Sequence, residues 1–168
     1  MIGPAMQKIL IILMSLIFLT AAAPGRKITN FKLRDMNNKW NEYSELKGSK
    51  LTVIDFWATW CKPCIRSIPK LVKLADKYKD QGVAFISINV DGNRSRQKIK
   101  PMARSLGINF PVLLDVNGTI KKQLGATAVP TLLIINEKDE VILFHQGYRI
   151  GDEKSIEKEI EDYLHAQK

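Results

Sequence analysis

The stretch Trp60-Cys61-Lys62-Pro63-Cys64 holds both cysteines of this 168-residue chain. It stands at the start of a predicted helix, so Cys61 lies at the helix amino terminus and Cys64 lies one turn further along. This spacing lets a small disulfide ring close and reopen, and it is typical of a redox pair. The alternative is half of a zinc site. It is disfavoured because two more Cys or His ligands are needed, and only His145 and His165 are available, without paired spacing.

The segments beside this motif predict a strand followed by a helix. Residues Leu51–Trp57 (LTVIDFW) form a β-branched, mostly apolar run, which is typical of a strand buried on both faces. After Cys64, apolar side chains recur at helical spacing until the pattern ends near Gly82. These side chains are Ile65, Ile68, Leu71, Val72, Ala75 and Tyr78.

The rest of the chain predicts an α/β fold. A weakly alternating segment around a polar turn indicates an amino-terminal hairpin, and a second polar turn separates two strands near the carboxyl end. Strands and helices alternate between the hairpins, which favours a mixed sheet covered by helices on both sides. The predicted elements are the 31–43 hairpin, strands 83–90 and 110–115, helices 95–106 and 118–124, the 131–136/140–146 hairpin, and a last helix carrying Ile156, Ile160, Tyr163 and Leu164.

The amino-terminal residues are typical of an export signal. Lys8 precedes the eleven-residue apolar run Ile9–Leu19, and small residues follow it. The run is short for a membrane span, which needs about 20 apolar residues. We therefore predict a signal peptide over residues 1–22, cut after Ala22, with an uncleaved membrane anchor as the alternative. A linker (23–27) and one domain (28–168) complete the chain.

The charge of the chain is strongly positive. The formal net charge is +9, from 26 Lys and Arg residues against 17 Asp and Glu residues. We predict no nucleic-acid partner, because such binding would need aromatic residues interleaved with basic ones or a known reader motif, and neither is present. The densest basic stretch, Arg94–Lys100 (RSRQKIK), has no acidic residue. We interpret it as a solvated helix face, with a docking patch as the alternative.

The order of elements and four local matches resemble the thioredoxin superfamily. Asp55-Phe56-Trp57-Ala58 leads into the Cys-x-x-Cys motif, and Pro69 lies five residues after its second cysteine. Val129-Pro130-Thr131 opens a strand, and Gly147 ends the next one. The export signal, the amino-terminal hairpin and an extra 94–112 segment are similar to the exported TlpA/ResA-like branch. The resemblance implies a thioredoxin fold: a central mixed β-sheet flanked by helices, with an amino-terminal β-hairpin and an inserted βα-type segment.

The position of Cys61 favours a reactive thiolate. Free backbone N–H groups and the helix dipole stabilise a thiolate at a helix amino terminus, and Lys62 adds a positive charge beside it. We expect Cys61 to attack a substrate disulfide and the less exposed Cys64 to resolve the mixed disulfide. Pro63 limits backbone freedom between the thiols and leaves one fewer hydrogen-bond donor for the thiolate.

Asp55 is an acidic residue within an apolar strand. A charge in such a run is costly without a function or a partner, although a strand end that reaches solvent is the alternative. The family resemblance implies a buried carboxylate beneath the cysteines, with a raised pKa, that accepts the proton of Cys64 during resolution. In thioredoxins a lysine on the next strand lies near this carboxylate, and our alignment puts Ser87 there. TlpA/ResA-like proteins more often have Asn at the Asp55 position.

Pro130 matches the cis-proline loop of the family. A cis Pro130 would lie against the disulfide and leave the backbone groups of Val129 free to pair with an extended substrate segment. Trp60 is expected in an exposed apolar contact surface. Ser67 replaces a glutamate of many TlpA/ResA-like proteins, and Thr131 follows the proline where members dedicated to cytochrome c maturation often have an acidic residue nearby. The expected substrate-contact residues are Trp60, Lys62, Pro63, Val129 and Thr131.

We therefore predict an exported thiol–disulfide oxidoreductase that reduces disulfides in exported proteins. The predicted cycle uses no cofactor besides the Cys61–Cys64 disulfide. The expected partners are disulfide-containing protein substrates and a membrane thiol–disulfide electron donor. We expect a monomer in the periplasm or another extracytoplasmic space, with membrane contact only through an uncleaved amino-terminal segment.

Three alternatives to this function are considered, two of them also enzymes and the third a binding module. An oxidase or isomerase of exported disulfides would use the same two thiols in another direction. A thiol peroxidase of the related fold would need a Pro-x-x-x-Thr-x-x-Cys setting, which the sequence lacks. A thioredoxin-fold binding or chaperone module would carry the thiols without using them.

Overall fold

A computed structural model describes residues 25–166 of the chain. The predicted signal segment lies outside these residues, as does part of the predicted linker. Within the described range no helix has the length and apolar character needed to cross a membrane. The described helices are α1 Tyr43–Leu46, α2 Lys62–Tyr78, α3 Arg96–Ser105, α4 Thr119–Gln123 and α5 Asp152–Ala166, with a 3-10 turn at Asn93–Ser95 before α3.

One seven-stranded mixed sheet organises the described residues, in the order β2-β1-β5-β4-β3-β6-β7. Strand β3 pairs in parallel with β4 and antiparallel with β6, and β4 pairs in parallel with β5. The amino-terminal hairpin of β1 and β2 joins the sheet through β5. The strands are β1 Lys32–Asp35, β2 Trp40–Glu42, β3 Leu51–Trp57, β4 Val83–Asn89, β5 Val112–Leu114, β6 Thr131–Asn136 and β7 Val141–Gln146.

Strand β3 is buried along its whole length, which confirms the prediction of a strand buried on both faces. Side chains of a strand point alternately to opposite faces. Ile54 and Phe56 pack in one apolar cluster with residues of α4, whereas Val53 packs in another cluster with residues of α2 and α5. Asp55 lies two residues after Val53, so its carboxyl group points to the same face, which α2 and α5 cover.

Two local details differ from the sequence prediction. The single turn α1, Tyr43–Leu46, follows the hairpin directly, and four residues are too few to produce a helical hydrophobic period. Strand β5 covers only Val112–Leu114 instead of 110–115. Its ladder with β4 is three pairs long, because Pro111 has no N–H group and contributes only its carbonyl, which accepts from the backbone N–H of Ser87 at 2.9 Å.

Candidate active site

The two cysteines lie at the junction between β3 and α2. Cys61 is the residue that caps the amino terminus of α2, and its extended backbone ends the turn that follows β3. A disulfide joins Cys61 and Cys64, with an S–S distance of 2.00 Å and a Cα–Cα distance of 5.3 Å. The backbone N–H of Cys64 donates to Sγ of Cys61 at 3.2 Å. A backbone donor of the first helical turn therefore already faces the sulfur of Cys61.

The two cysteines differ slightly in exposure. Cys61 keeps 3% of its surface exposed and Cys64 keeps none. Lys62 is the first residue of α2 and is exposed, and Pro63 follows it partly buried. This arrangement agrees with Cys61 as the attacking residue and with Cys64 as the resolving residue.

Asp55 lies buried on the face of β3 that α2 covers. Only 3% of its surface is exposed, and its Oδ2 atom has no hydrogen-bond partner within residues 25–166. Burial raises the pKa of Asp55 to about 7, because the charged form loses its hydration. A carboxyl group with such a pKa can hold or release a proton near neutral pH.

A small cavity connects Asp55 with the first turns of α2. The space open to a water-sized sphere is about 20 Å³, enough for one water molecule. Asp55, Ser67 and Pro130 line it together, and the hydroxyl of Ser67 donates to the carbonyl of Cys64 at 3.0 Å. The structure therefore brings Asp55 to the part of the helix that carries Cys64.

The loop before β6 contains a cis peptide bond between Val129 and Pro130, as predicted. Val129 packs against the apolar cluster that includes both cysteines, and its backbone N–H and C=O form no hydrogen bond within residues 25–166. The carbonyl of Pro130 accepts from the N–H of Gly147 at 2.8 Å. Thr131 is fully buried, and its hydroxyl donates to the carbonyl of Ala128 at 2.8 Å. Thr131 thus shapes this loop from inside, whereas Val129 presents free backbone groups.

An open groove lies beside the disulfide and the cis-proline loop. It measures about 460 Å³ and is lined by Trp60 and Val129 among others, so we call it the active-site groove. Trp60 is 67% exposed, whereas Trp57, three residues earlier, is completely buried. Trp60 therefore adds an exposed apolar surface beside the Cys61–Cys64 pair.

Sequence reasoning missed Asp91, which holds the turn before Cys61. Its carboxylate accepts from the backbone N–H of Thr59 at 2.8 Å and from the Thr59 hydroxyl at 3.0 Å. The same carboxylate accepts from the side-chain amide of Asn89 at 2.8 Å. The sequence could have indicated Asp91, because it is an acidic residue directly after the predicted strand 83–90, and polar residues of functional sites commonly lie at the carboxyl ends of such strands.

Comparisons with known proteins agree with this geometry. A family model described as the AhpC/TSA family matches residues 24–144. The thiol-disulfide oxidoreductase ResA of Bacillus subtilis (strain 168) is 33% identical over 144 residues, which cover 86% of this chain and 75% of that protein. ResA of Halalkalibacterium halodurans is 33% identical over 126 residues, covering 75% of this chain and 70% of that protein.

A solved structure is also similar. The crystal structure of a putative thiol:disulfide interchange protein DsbE from Chlorobium tepidum superposes with a TM-score of 0.77 and 28% sequence identity. The match covers 86% of this chain and 99% of the other. These similarities confirm the predicted thioredoxin-type fold and the ResA-like resemblance.

Proposed function

Because this chain belongs to the AhpC/TSA family and is related to the ResA thiol–disulfide oxidoreductases, we propose that it reduces disulfide bonds in exported proteins. The observation that carries this proposal is the Cys61–Cys64 disulfide at the amino terminus of α2, beside the cis-proline loop and above buried Asp55. This arrangement supplies a nucleophile, a resolving thiol, a proton acceptor and a contact surface.

In the first step, the reduced enzyme attacks the substrate. The Cys61 thiolate bonds to one sulfur of the substrate disulfide, and the substrate S–S bond breaks to release the other sulfur as a thiolate. Backbone donors at the amino terminus of α2 stabilise the Cys61 thiolate before the attack. An extended substrate segment can pair with the free backbone groups of Val129 while this mixed disulfide exists.

In the second step, Cys64 breaks the mixed disulfide. Cys64 must lose its proton to attack Sγ of Cys61, and Asp55 accepts that proton in our proposal. The new Cys61–Cys64 bond releases the second substrate sulfur as a thiolate. The thiolates released in the two steps each take up a proton from solvent, and Asp55 then gives up the proton it received from Cys64. The substrate has then gained two electrons and two protons, and the enzyme has become oxidised.

The oxidised enzyme needs a reductant before the next cycle. We propose a membrane thiol–disulfide electron donor for this step, with no cofactor besides the two cysteines. The export-type sequence before residue 25 supports an extracytoplasmic location. A monomer suffices for this chemistry, since one chain carries all the groups that the proposal uses.

Trapping tests this function. A Cys64→Ala variant should accumulate mixed disulfides with exported proteins, because Cys61 attacks and nothing resolves the product. The matched control, Cys61→Ser/Cys64→Ala, should accumulate none. A chain without trapped partners would be a binding or chaperone module instead.

The reduction potential tests the direction of electron flow. Purified protein is equilibrated in dithiothreitol or glutathione buffers, and free thiols are counted by alkylation. We expect a value near that of thioredoxin, about −270 mV. A value of about −120 mV, like that of a strong oxidant, would make the protein an oxidase of exported disulfides.

A further inference from the structure

A second groove lies next to the active-site groove, between the β1–β2 hairpin, the start of α3 and the loop before α4. It measures about 290 Å³ and is lined by Lys32, Arg34, Trp40 and Arg96, so we call it the basic groove. These four residues come from three separate elements, and only the tertiary structure brings them together. Trp40 is 48% exposed, a large exposure for an aromatic side chain.

Both arginines of the basic groove lack an acidic partner. The guanidinium of Arg34 lies 4.4 Å from the ring centroid of Trp40 and donates to the carbonyl of Asn38 at 3.0 Å. The guanidinium of Arg96 donates to the side-chain oxygen of Asn38 at 3.2 Å. Neither arginine forms an ion pair with a carboxylate within residues 25–166. Asn38 therefore orients two guanidinium groups whose charges stay available.

The remaining charges of the basic groove do not cancel this excess. Lys32 pairs with Glu42 at 3.1 Å. Asp115 is the acidic residue that lines the groove; it is 2% exposed, and its carboxylate accepts from the backbone N–H of Lys121 at 2.7 Å. The surface of the groove is consequently positive, and it suits an anionic ligand with carboxylate groups.

The basic groove adjoins the active-site groove. Val116 and Asn117 line both of them. No acidic side chain lines the active-site groove, and its charged residue is Lys121. A polypeptide that enters the active-site groove beside Trp60 can therefore pass over the 116–117 segment into the basic groove, without meeting an exposed carboxylate on the way.

We propose that the basic groove is a second docking site for the disulfide-bearing substrate and binds an acidic segment of that substrate. This proposal rests on the proposed function, since the same substrate would bind here through a segment at a distance from its disulfide. The guanidinium groups of Arg34 and Arg96 pair with Asp or Glu side chains. The exposed face of Trp40 covers an apolar side chain of the same segment.

The test compares model peptides that share one disulfide. One series carries a run of Glu residues at two, five or eight positions from the disulfide, and the other carries Gln at the same positions. The enzyme should reduce the best-placed Glu peptide with a kcat/KM about three- to tenfold above its Gln partner at low salt. The preference should shrink in high salt, because salt screens exposed charges. It should also depend on the spacing, because the groove has a fixed position.

Two double variants distinguish an effect of the groove arginines from an effect of the protein's net charge. Arg34→Gln/Arg96→Gln should lose the preference for Glu peptides and keep the rate on Gln peptides. Arg94→Gln/Arg104→Gln removes the same charge from exposed positions that line neither groove, and should keep the preference. Equal rates for Glu and Gln peptides in the wild-type enzyme would overturn the docking site and leave the proposed function intact.

If no peptide is reduced, that result counts against the proposed function. A binding measurement still tests the docking site in that case. A cysteine-free Glu peptide is titrated against ¹⁵N-labelled protein. The indole N–H signal of Trp40 should shift in the wild type and not in Arg34→Gln/Arg96→Gln. A protein that ignores this peptide but sediments with phosphatidylglycerol vesicles through the same arginines would have a membrane-binding surface here, and the proposal would be wrong.

Discussion

Asp55 and Ser87 occupy paired positions on the neighbouring parallel strands β3 and β4. Both side chains are buried, and neither Oδ2 of Asp55 nor Oγ of Ser87 has a hydrogen-bond partner within residues 25–166. The lysine that the thioredoxin resemblance implies near this carboxylate is thus replaced by a small neutral group. Burial therefore raises the pKa of Asp55, and the residue at position 87 supplies no positive charge that would lower it again.

The stability of the oxidised protein should fall as the pH rises. Burial raises the pKa of Asp55 to about 7 in the folded state, while the unfolded chain ionises near pH 4. Between these values the unfolded chain loses the proton and the folded protein keeps it. The free energy of unfolding should therefore decrease by up to about 4 kcal/mol from pH 4 to pH 7 through this group.

Urea unfolding of the oxidised protein between pH 4 and pH 8 checks this effect. Asp55→Asn should remove this pH dependence and be more stable than the wild type at pH 7. Asp80→Asn, at an exposed position, should retain the wild-type dependence. An unchanged slope in Asp55→Asn would show that other groups cause the dependence.

Two buried serines should respond to alanine in opposite directions. Ser87→Ala removes a buried hydroxyl without a partner, so the free energy of unfolding should rise by about 1 kcal/mol. Ser67→Ala removes a hydroxyl that donates to the carbonyl of Cys64, so it should fall by about 1 kcal/mol. Chemical denaturation at pH 4, where Asp55 is protonated in the folded state, measures both. Destabilisation by Ser87→Ala would mean that its hydroxyl has a favourable partner.

Asp91→Ala should weaken both stability and activity. The carboxylate of Asp91 accepts two hydrogen bonds from Thr59 and one from Asn89, so its loss should cost about 2–4 kcal/mol of unfolding free energy. Because Thr59 lies in the turn before Cys61, the rate of disulfide reduction should fall as well. Denaturation and an insulin-reduction assay measure the two effects, with Asp80→Ala as the exposed control. A stable variant with full activity would show that the turn needs no such support.

Substitution of the two tryptophans near the cysteines should have different effects, one on stability and the other on substrate contact. Trp57→Ala removes a fully buried side chain, so the free energy of unfolding should fall by about 3–5 kcal/mol. Trp60→Ala removes an exposed one and should change stability by about 0.5 kcal/mol or less. It should nevertheless lower kcat/KM for a protein disulfide and not for oxidised glutathione. A Trp60→Ala variant with wild-type rates on both would place this side chain outside the contact surface.

The strand and helix around the cysteines could be predicted because their signals are local. Leu51–Trp57 is an uninterrupted apolar run, and α2 shows a regular helical period. The three-residue separation of the cysteines makes their proximity a property of one helical turn. Strand and helix limits elsewhere were less accurate, as for β5, because the number of paired residues there depends on a neighbouring strand.

By itself, the sequence determined the redox pair and the cap position of Cys61, since each follows from residues only a few positions apart. It also determined the class of fold, since the order of elements is the sum of local patterns along the chain. Only the tertiary structure decided what surrounds them. Three features join residues more than 30 positions apart. Asp55 is buried beside Ser87, Asp91 accepts hydrogen bonds from Thr59 in the turn before Cys61, and Arg34 and Arg96 line the same groove. Such contacts depend on strand order and register, which arise from closing the whole sheet and not from any local pattern.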